Sequence, residues 1–272
     1  ELHEMAQSDG AGMVRELISV VDREKAAHRR ADQFGAADAG SGAGYAYLSL
    51  RGIQQTRLNM TLDGVPLNEP EDSTVYFSNY ADLAASIDSV QVQRGVGTST
   101  VGAASYGGSI NFASVDPKPG REIAAEVGLG SFGTRRLGFT AHSGGVGRRL
   151  TLYARGAFRD ADGYREHSGV RQRGLFAGAT RRDDRSLFKA FGFVGRSRTD
   201  LAYLAVEKDL LAVNPRLNPL GPEERDNFLQ RFVHAQYTRF ISRNTSVAAQ
   251  GYYQDAGGWY RMWASAARDS LY

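Results

Sequence analysis

Between residues 150 and 159 the chain alternates without a break. Leu150, Leu152, Ala154, Gly156 and Phe158 fall on one face of an extended segment, and Thr151, Tyr153, Arg155 and Arg159 on the other. Successive side chains of a β-strand point to opposite faces, so this segment needs an apolar medium on one side and a polar one on the other. Noisier versions recur at 122–129, 135–142, 172–182, 186–196, 230–240 and 245–254, the last with Val247, Ala249, Gly251 and Tyr253 on one face. Arginines facing one way and aliphatics the other suit the wall of a transmembrane barrel with a wet interior. A sheet that buries one face in a soluble core gives a related pattern, and that alternative stays open at this level.

The connections add an independent constraint. Short links are expected at 143–147, 183–184 and 242–244, and the intervening ones at 130–133, 160–171 and 197–227. Apart from the tight link at 130–133, short and long alternate, as they do between the two rims of an outer-membrane barrel. Seven or eight such strands cannot surround a folded domain, because barrel diameter grows with strand number and plugged barrels need about 22. The chain therefore reads as part of a larger barrel, ending at Leu271-Tyr272 in mid-pattern.

Composition narrows the classes further. The 32 glycines, 13 tyrosines, 13 phenylalanines and 7 prolines describe turns and aromatic strands rather than helices. No apolar run approaches the roughly 18 residues that a membrane helix requires, which excludes a helical membrane protein and leaves a strand-built one. The absence of cysteine removes disulfides and thiolate metal sites. A net charge of +3 from 33 basic and 30 acidic residues is too balanced for a nucleic-acid footprint. The opening at Glu1, without a basic and apolar leader, reads as a signal peptide removed or not included.

Residues 1–38 differ from the rest: Val14, Leu17, Ile18 and Val21 have helical spacing, which predicts a short amphipathic helix within 14–33. From Tyr45 to Val115 the pattern is strand, glycine turn, strand. Leu48-Ser49-Leu50-Arg51-Gly52-Ile53 is followed by Leu62-Asp63-Gly64-Val65-Pro66-Leu67-Asn68, where Asp-Gly between apolar residues signals a type I′ hairpin. Then come Ser89-Val90-Gln91-Val92-Gln93-Arg94-Gly95 and Tyr106-Gly107-Gly108-Ser109-Ile110-Asn111. Pro117-Lys118-Pro119-Gly120 marks a composition break that divides a domain at 1–117 from barrel strands at 118–272.

Any one of these blocks is an ordinary hairpin or strand end. In this order and spacing the four together resemble the plug domain of TonB-dependent outer-membrane receptors. Gly40-Ser41-Gly42-Ala43-Gly44-Tyr45 and Arg94-Gly95-Val96-Gly97-Thr98-Ser99-Thr100 are most similar to the Bacteroidota-type members. The resemblance covers about residues 39–117; residues 1–38 match it poorly, and no TonB box stands out in 1–44. It implies a mainly β protein, with a mixed α/β plug followed by an incomplete antiparallel transmembrane β-barrel, a fragment of a 22-stranded one. It also implies residence in the bacterial outer membrane, contact with its lipid, and work supplied by TonB and its inner-membrane complex. The cargo would be a ferric siderophore or another scarce small nutrient. A passive porin or adhesin barrel would share the strands and have no use for the four plug blocks; a soluble secreted β-protein is the remaining alternative.

Under the resemblance, Arg51-Gly52, Asp63-Gly64, Arg94-Gly95 and Gly107-Gly108 serve plug turns and anchoring, the arginines by bridging plug to barrel wall through carboxylates. Ligand contacts are expected on the polar insert, at Asn68, Glu69, Glu71, Asp72, Tyr76 and Phe77, with Gln54 and Arg57 as second-rank candidates. Catalysis finds no support. His3, His28, His142, His167 and His234 lack paired metal-ligand spacing, and neither a nucleophile elbow nor a phosphate loop is present. Asp160-Ala161-Asp162-Gly163 opens like a calcium loop and lacks its later ligands, so it reads as a turn. No metal and no cofactor are expected.

Overall fold

Two kinds of strand pairing organise the molecule. The computed structural model describes residues 48–50, 53–95, 107–116, 118, 120–147 and 149–263. The helix expected within 14–33, the glycine motif at 40–45, Arg51, Gly52, Tyr106 and the side chain of Arg94 lie outside the described residues.

The N-terminal part holds β1 (Ser49–Leu50), β2 (Ile53–Gln54), β3 (Leu58–Leu62), β4 (Val65–Pro66), β5 (Ile87–Arg94) and β6 (Gly108–Ser114). Its main sheet runs β4-β3-β6-β5. β3 and β6 pair in parallel from Leu58↔Gly108 to Leu62↔Phe112, whereas β5 pairs antiparallel with β6. The turn between β3 and β4 has positive φ at Asp63 (49°) and Gly64 (81°), the geometry that the Asp-Gly pair predicts. A Cβ on Gly107 would lie 2.7 Å from Ile53 Cγ2 and 2.8 Å from the Arg57 carbonyl oxygen, so the approach of β6 to the preceding turn needs glycine there.

The C-terminal part is one antiparallel meander: β7 (Arg121–Leu129), β8 (Arg135–Val146), β9 (Leu150–Ala161), β10 (Val170–Asp183), β11 (Ser186–Asp200), β12 (Arg225–Ser242) and β13 (Thr245–Arg261). Each strand pairs with its sequence neighbours, and β7 and β13 form the edges. Connections at 147–149, 184–185 and 243–244 lie at one rim, and those at 130–134, 162–169 and 201–224 at the other. This is the parity expected from the sequence, including the tight 130–134 turn. The last loop carries a short helix, α1 (Lys208–Val213). Several strands outrun the expected limits: the β12–β13 ladder continues to Asp226↔Tyr260 and Arg225↔Arg261, beyond the apolar stretch that gave the pattern its period.

The two faces of the meander differ as residues 150–159 require. Ile123, Val127 and Leu129 are 77%, 76% and 83% exposed on the outer face, where Leu152, Leu175, Val194, Val233 and Val247 also lie. Tyr153, Phe176, Phe191 and Phe232 are buried on the inner face and lie in a row across four strands, with ring centroids 5.7, 5.1 and 5.7 Å apart. These rings join Leu58, Met60, Phe77, Leu83 and Phe112 of the N-terminal part in one core. At about 1.5–3 kcal/mol for each large apolar side chain, this shared core binds the small sheet to the concave face of the meander.

Candidate functional site

The small sheet is held against the wall by polar contacts concentrated in two places. At the first, Asp82 precedes a 3-10 turn, Leu83–Ser86, with φ 58°. Its carboxylate accepts from Arg136 Nη2 at 2.6 Å through Oδ1 and from Arg155 Nε at 2.6 Å through Oδ2. Arg136 and Arg155 point inward from adjacent wall strands. Arg155 also donates to Glu126 Oε1 and Oε2 at 3.2 and 3.0 Å and to Thr140 Oγ1 at 2.6 Å. One buried carboxylate thus meets two guanidinium groups, and Arg155 has further donors occupied by Glu126 and Thr140, which helps a buried ion pair to offset its desolvation.

At the second, Lys189 of β11 donates to the Ser114 carbonyl oxygen at 3.1 Å and pairs with Asp63 Oδ2 at 3.2 Å. Asp63 is more than a turn residue: its carboxylate also accepts from the backbone N–H of Ser114 at 2.9 Å and from the Ser114 hydroxyl at 2.6 Å. Between the two sites, Gln172 Nε2 donates to the Ser78 carbonyl oxygen at 2.9 Å and Gln254 Nε2 to the Tyr80 hydroxyl at 3.1 Å. The wall strands have glycines opposite this segment. A Cβ on Gly174 would overlap the Ala81 carbonyl oxygen, and one on Gly195 the Asn79 carbonyl oxygen.

At the rim with the long loops, a cavity of about 480 Å³ opens between the small sheet and the wall. The 69–79 segment contributes Glu71, Tyr76 and Asn79 to it. The wall and its loop contribute Leu201, Tyr203, Asp226, Phe228, Tyr260 and Met262. The loops behind it are fastened together: Arg165 donates to the carbonyl oxygens of Ala202, Leu204 and Leu217, and Asn218 Nδ2 to those of Glu166, His167 and Leu201. A rim held this way supports a binding surface on a rigid frame.

Charge is unevenly distributed along the 69–79 segment. Burial pushes the Glu69 carboxyl above its usual range, and the neighbouring Asp72 and Glu71 add to the rise. At Asp72, burial acts upward too, but hydrogen bonds from the Tyr76 hydroxyl (2.5 Å) and the Thr74 backbone N–H (2.8 Å) outweigh it and hold the group low. Burial raises the Tyr80 hydroxyl strongly, with Glu69 contributing, so it stays protonated.

The expected ligand contacts therefore separate. Glu71 and Tyr76 line the cavity, and Asp72 fixes the Tyr76 ring. Asn68 is occupied by the backbone: it accepts from Met60 N–H at 2.8 Å and donates to the carbonyl oxygens of Leu58 and Ser73 at 3.0 and 2.8 Å. Phe77 is 2% exposed in the shared core, where it packs rather than presents a ring to solvent. Glu69 is half-buried at the base of the segment, and Gln54 and Arg57 are exposed elsewhere on the small sheet; none of these three lines the cavity. Of the expected turn residues, Gly95 has φ 75° and Gly108 φ 141°, both in the region that favours glycine. Sequence reasoning missed Asp82, Arg136, Lys189 and Asp226. The alternation had placed Arg155 on the inner face without identifying its partner. Among the described residues no His, Asp and Glu grouping could hold a metal ion.

A mixed sheet pinned by its turns inside the concave face of an antiparallel, outwardly apolar wall has the architecture of a plugged outer-membrane receptor barrel. Residues 18–109 match the family model described as TonB-dependent Receptor Plug Domain, a match that begins inside the expected N-terminal helix. Residues 18–109 are thus similar to a TonB-dependent receptor plug, and the meander that follows has the fold of part of a barrel wall.

Solved structures agree on the fold. The unliganded ferric citrate transporter FecA aligns with a TM-score of 0.69 at 16% identity, over 81% of this chain and 35% of that one. The siderophore receptor PiuA from Acinetobacter baumannii gives 0.65 at 14% identity, over 84% and 32%. The copper transporter OprC gives 0.65 at 20% identity, over 94% and 36%. The chain spans about a third of the length of these proteins. They are two transporters and a receptor, and they do not bear on the Bacteroidota-type subdivision. A comparison with curated protein sequences gives no match.

Proposed function

We propose that the chain is the plug, at 1–117, and the opening barrel strands, at 118–272, of an active transporter in the bacterial outer membrane. It imports a scarce nutrient such as a ferric siderophore, and TonB with its inner-membrane complex drives the plug's rearrangement. The observation that carries this reading is the occupied lumen. Asp82 and Asp63 bind wall cations by hydrogen bonds and ion pairs that can break and reform, while the cavity above exposes Glu71 and Tyr76 to the long-loop rim. A passive pore has no use for side chains that close its passage, so the plug contacts favour gated transport over a porin. Ligand contact falls to Glu71 and Tyr76, with Asp72 as the residue that positions Tyr76. Arg51 and Arg94 serve as further anchors of the plug turns.

The test is uptake of a panel of ferric siderophores, haem and cobalamin by cells carrying the full-length parent, with and without TonB. Saturable uptake of one ligand that disappears without TonB is the expected result. Diffusive passage independent of TonB would overturn active transport.

A further inference from the structure

The outer face of the wall carries a block of arginines at its long-loop end. Arg171 of β10 stands opposite Arg198 of β11, and two residues along Arg173 stands opposite Arg196. Residues paired across strands and residues two apart share a face, so the four side chains form a two-by-two grid, about 5 Å across the strands and about 7 Å along them. Leu175 and Val194, the next such pair in the ladder, are exposed, which places the grid on the outward side with the apolar band beginning beside it. Arg135 of β8 joins the grid through Asp160 of β9, which pairs with Arg135 on one side and Arg171 on the other. All the strands around the grid, β8 to β12, belong to this chain. Arg171 Nε lies 3.4 Å from Asp160 Oδ1, Arg196 Nε donates to Asn227 Oδ1 at 3.1 Å, and the Arg173 guanidinium stands 5.4 Å from the centre of the Phe158 ring. Of the nearby acids, Asp200 pairs with Arg225 at 3.4 Å and Asp255 with Arg231 at 2.5 Å. Five guanidinium groups thus share Asp160, and the neighbouring carboxylates hold cations of their own.

Like charges directly opposite one another on one face destabilise a strand pair. Two such pairs in succession are a cost to the isolated wall, and an anion lying between the guanidinium groups removes it. Arginine forks take phosphate oxygens two at a time, and the exposed Phe139, Leu175 and Val194 offer an apolar surface beside them. That combination, several guanidinium groups bordering an apolar face, matches an amphiphile with a phosphorylated headgroup. We propose that the grid of Arg171, Arg173, Arg196 and Arg198 binds the phosphate groups of a lipid in the membrane leaflet at the long-loop rim, with the acyl chains along the apolar band. The inference rests on the reading of the outer face as lipid-facing and concerns a surface separate from the cavity that Glu71 and Tyr76 line.

Binding is measured on the full-length receptor in detergent, with four probes: bisphosphorylated lipid A, the same lipid stripped of its phosphates, phosphatidylglycerol and inorganic phosphate. Bisphosphorylated lipid A should bind roughly ten- to a hundredfold more tightly than the stripped form, the size expected of several partly exposed charge pairs acting together, and the ratio should fall as salt rises. Arg173→Gln combined with Arg196→Gln should lower the ratio roughly three- to tenfold, and Arg171→Gln combined with Arg198→Gln should do the same. Each combination removes a like-charge pair, so neither variant should be less stable than the parent without lipid, and either one alone decides the matter if the other fails to assemble. Arg181→Gln combined with Arg239→Gln, on the outer face near the opposite rim, is the control and should leave the ratio unchanged. Equal affinity for the two forms of lipid A, phosphatidylglycerol bound as tightly as lipid A, a ratio that the grid variants leave unmoved, or one that the control lowers equally overturns the inference. Displacement of lipid A by an equal concentration of inorganic phosphate would mark a site for a free anion only and would overturn it too. TonB-dependent uptake without a phosphate preference in lipid binding would reject the inference and leave transport standing. Absence of any TonB-dependent uptake would reject transport, while the lipid A ratio still decides the ligand of the grid.

Discussion

Arg155 Nε of the barrel wall lies 2.6 Å from Asp82 Oδ2 of the plug, with side chains 4% and 8% exposed. Removing one partner of such a pair leaves a buried charge without its counterion, at a cost of about 3–5 kcal/mol. Asp82→Ala should therefore loosen the plug while leaving the wall assembled. Limited proteolysis of the full-length receptor should show faster cleavage within 53–95 and unchanged heat-modifiable mobility of the barrel. Arg155→Ala should give a similar loss, and the double variant less than the sum of the two.

Gly174→Ala and Gly195→Ala should each push the plug segment 79–81 off the wall, because the added Cβ overlaps a backbone carbonyl oxygen that cannot rotate aside. Overpacking of this kind costs about 1–3 kcal/mol. Gly156→Ala and Gly251→Ala, whose Cβ positions meet nothing within 4 Å, are the controls and should be near neutral. Entry of a large antibiotic through the barrel distinguishes the pairs: sensitivity should rise for Gly174 and Gly195 and stay unchanged for the controls.

Leu152 and Val247 face outward, 42% and 57% exposed. Replacing either by Arg should impair membrane assembly by about 2–4 kcal/mol if it sits near the bilayer midplane. Folding yield into lipid vesicles against denaturant reads this directly. If the outer face were the core of a soluble protein, the same variants would lose all folded material in water without lipid.

Glu69 and Asp72 should respond to pH with opposite signs. The Glu69 carboxyl is raised in the fold, so its ionisation opposes the folded segment; the penalty is absent below the unfolded value and grows as pH rises through the folded one. Asp72 is lowered, so its contribution is present above the unfolded value and is lost as pH falls through the folded one. Amide exchange over 69–79 should slow in Glu69→Gln and quicken in Asp72→Asn at neutral pH, and both differences should vanish in acid.

The parts of this architecture that the sequence made legible share one property: their signal is local. Strand 150–159 shows its two faces in ten residues, the Asp63-Gly64 turn in two, and the rim parity in the lengths of successive gaps. What stayed hidden depends on partners far along the chain. Gly174 and Gly195 look like weak points in strands until Ala81 and Asn79 are placed against them. Asp82 is an unremarked acid in an Ala/Leu-rich turn until Arg136 and Arg155 converge on it from 54 and 73 residues away. The anchoring chemistry was expected to run from plug arginines to wall carboxylates. Among the described residues the contacts run from plug carboxylates to wall cations, and the side chains of the expected arginines, Arg51 and Arg94, lie outside them. In the polar insert, composition marked a recognition segment, but only the fold separates Glu71 and Tyr76, which line the cavity, from Asn68 and Phe77, which hold the segment in place.

The central claim is that one face of the wall meets lipid, the other meets the plug, and the two rims lie on opposite sides of a membrane. Single-cysteine labelling is a direct test, because this chain contributes no cysteine and any elsewhere in the full-length receptor can be replaced by serine. In intact cells making the full-length receptor, a membrane-impermeant maleimide should label Glu71→Cys at the long-loop rim. It should leave Asn244→Cys at the short-turn rim unlabelled until the outer membrane is permeabilised, and Leu152→Cys unlabelled in both conditions. Equal labelling of all three in intact cells would contradict the account.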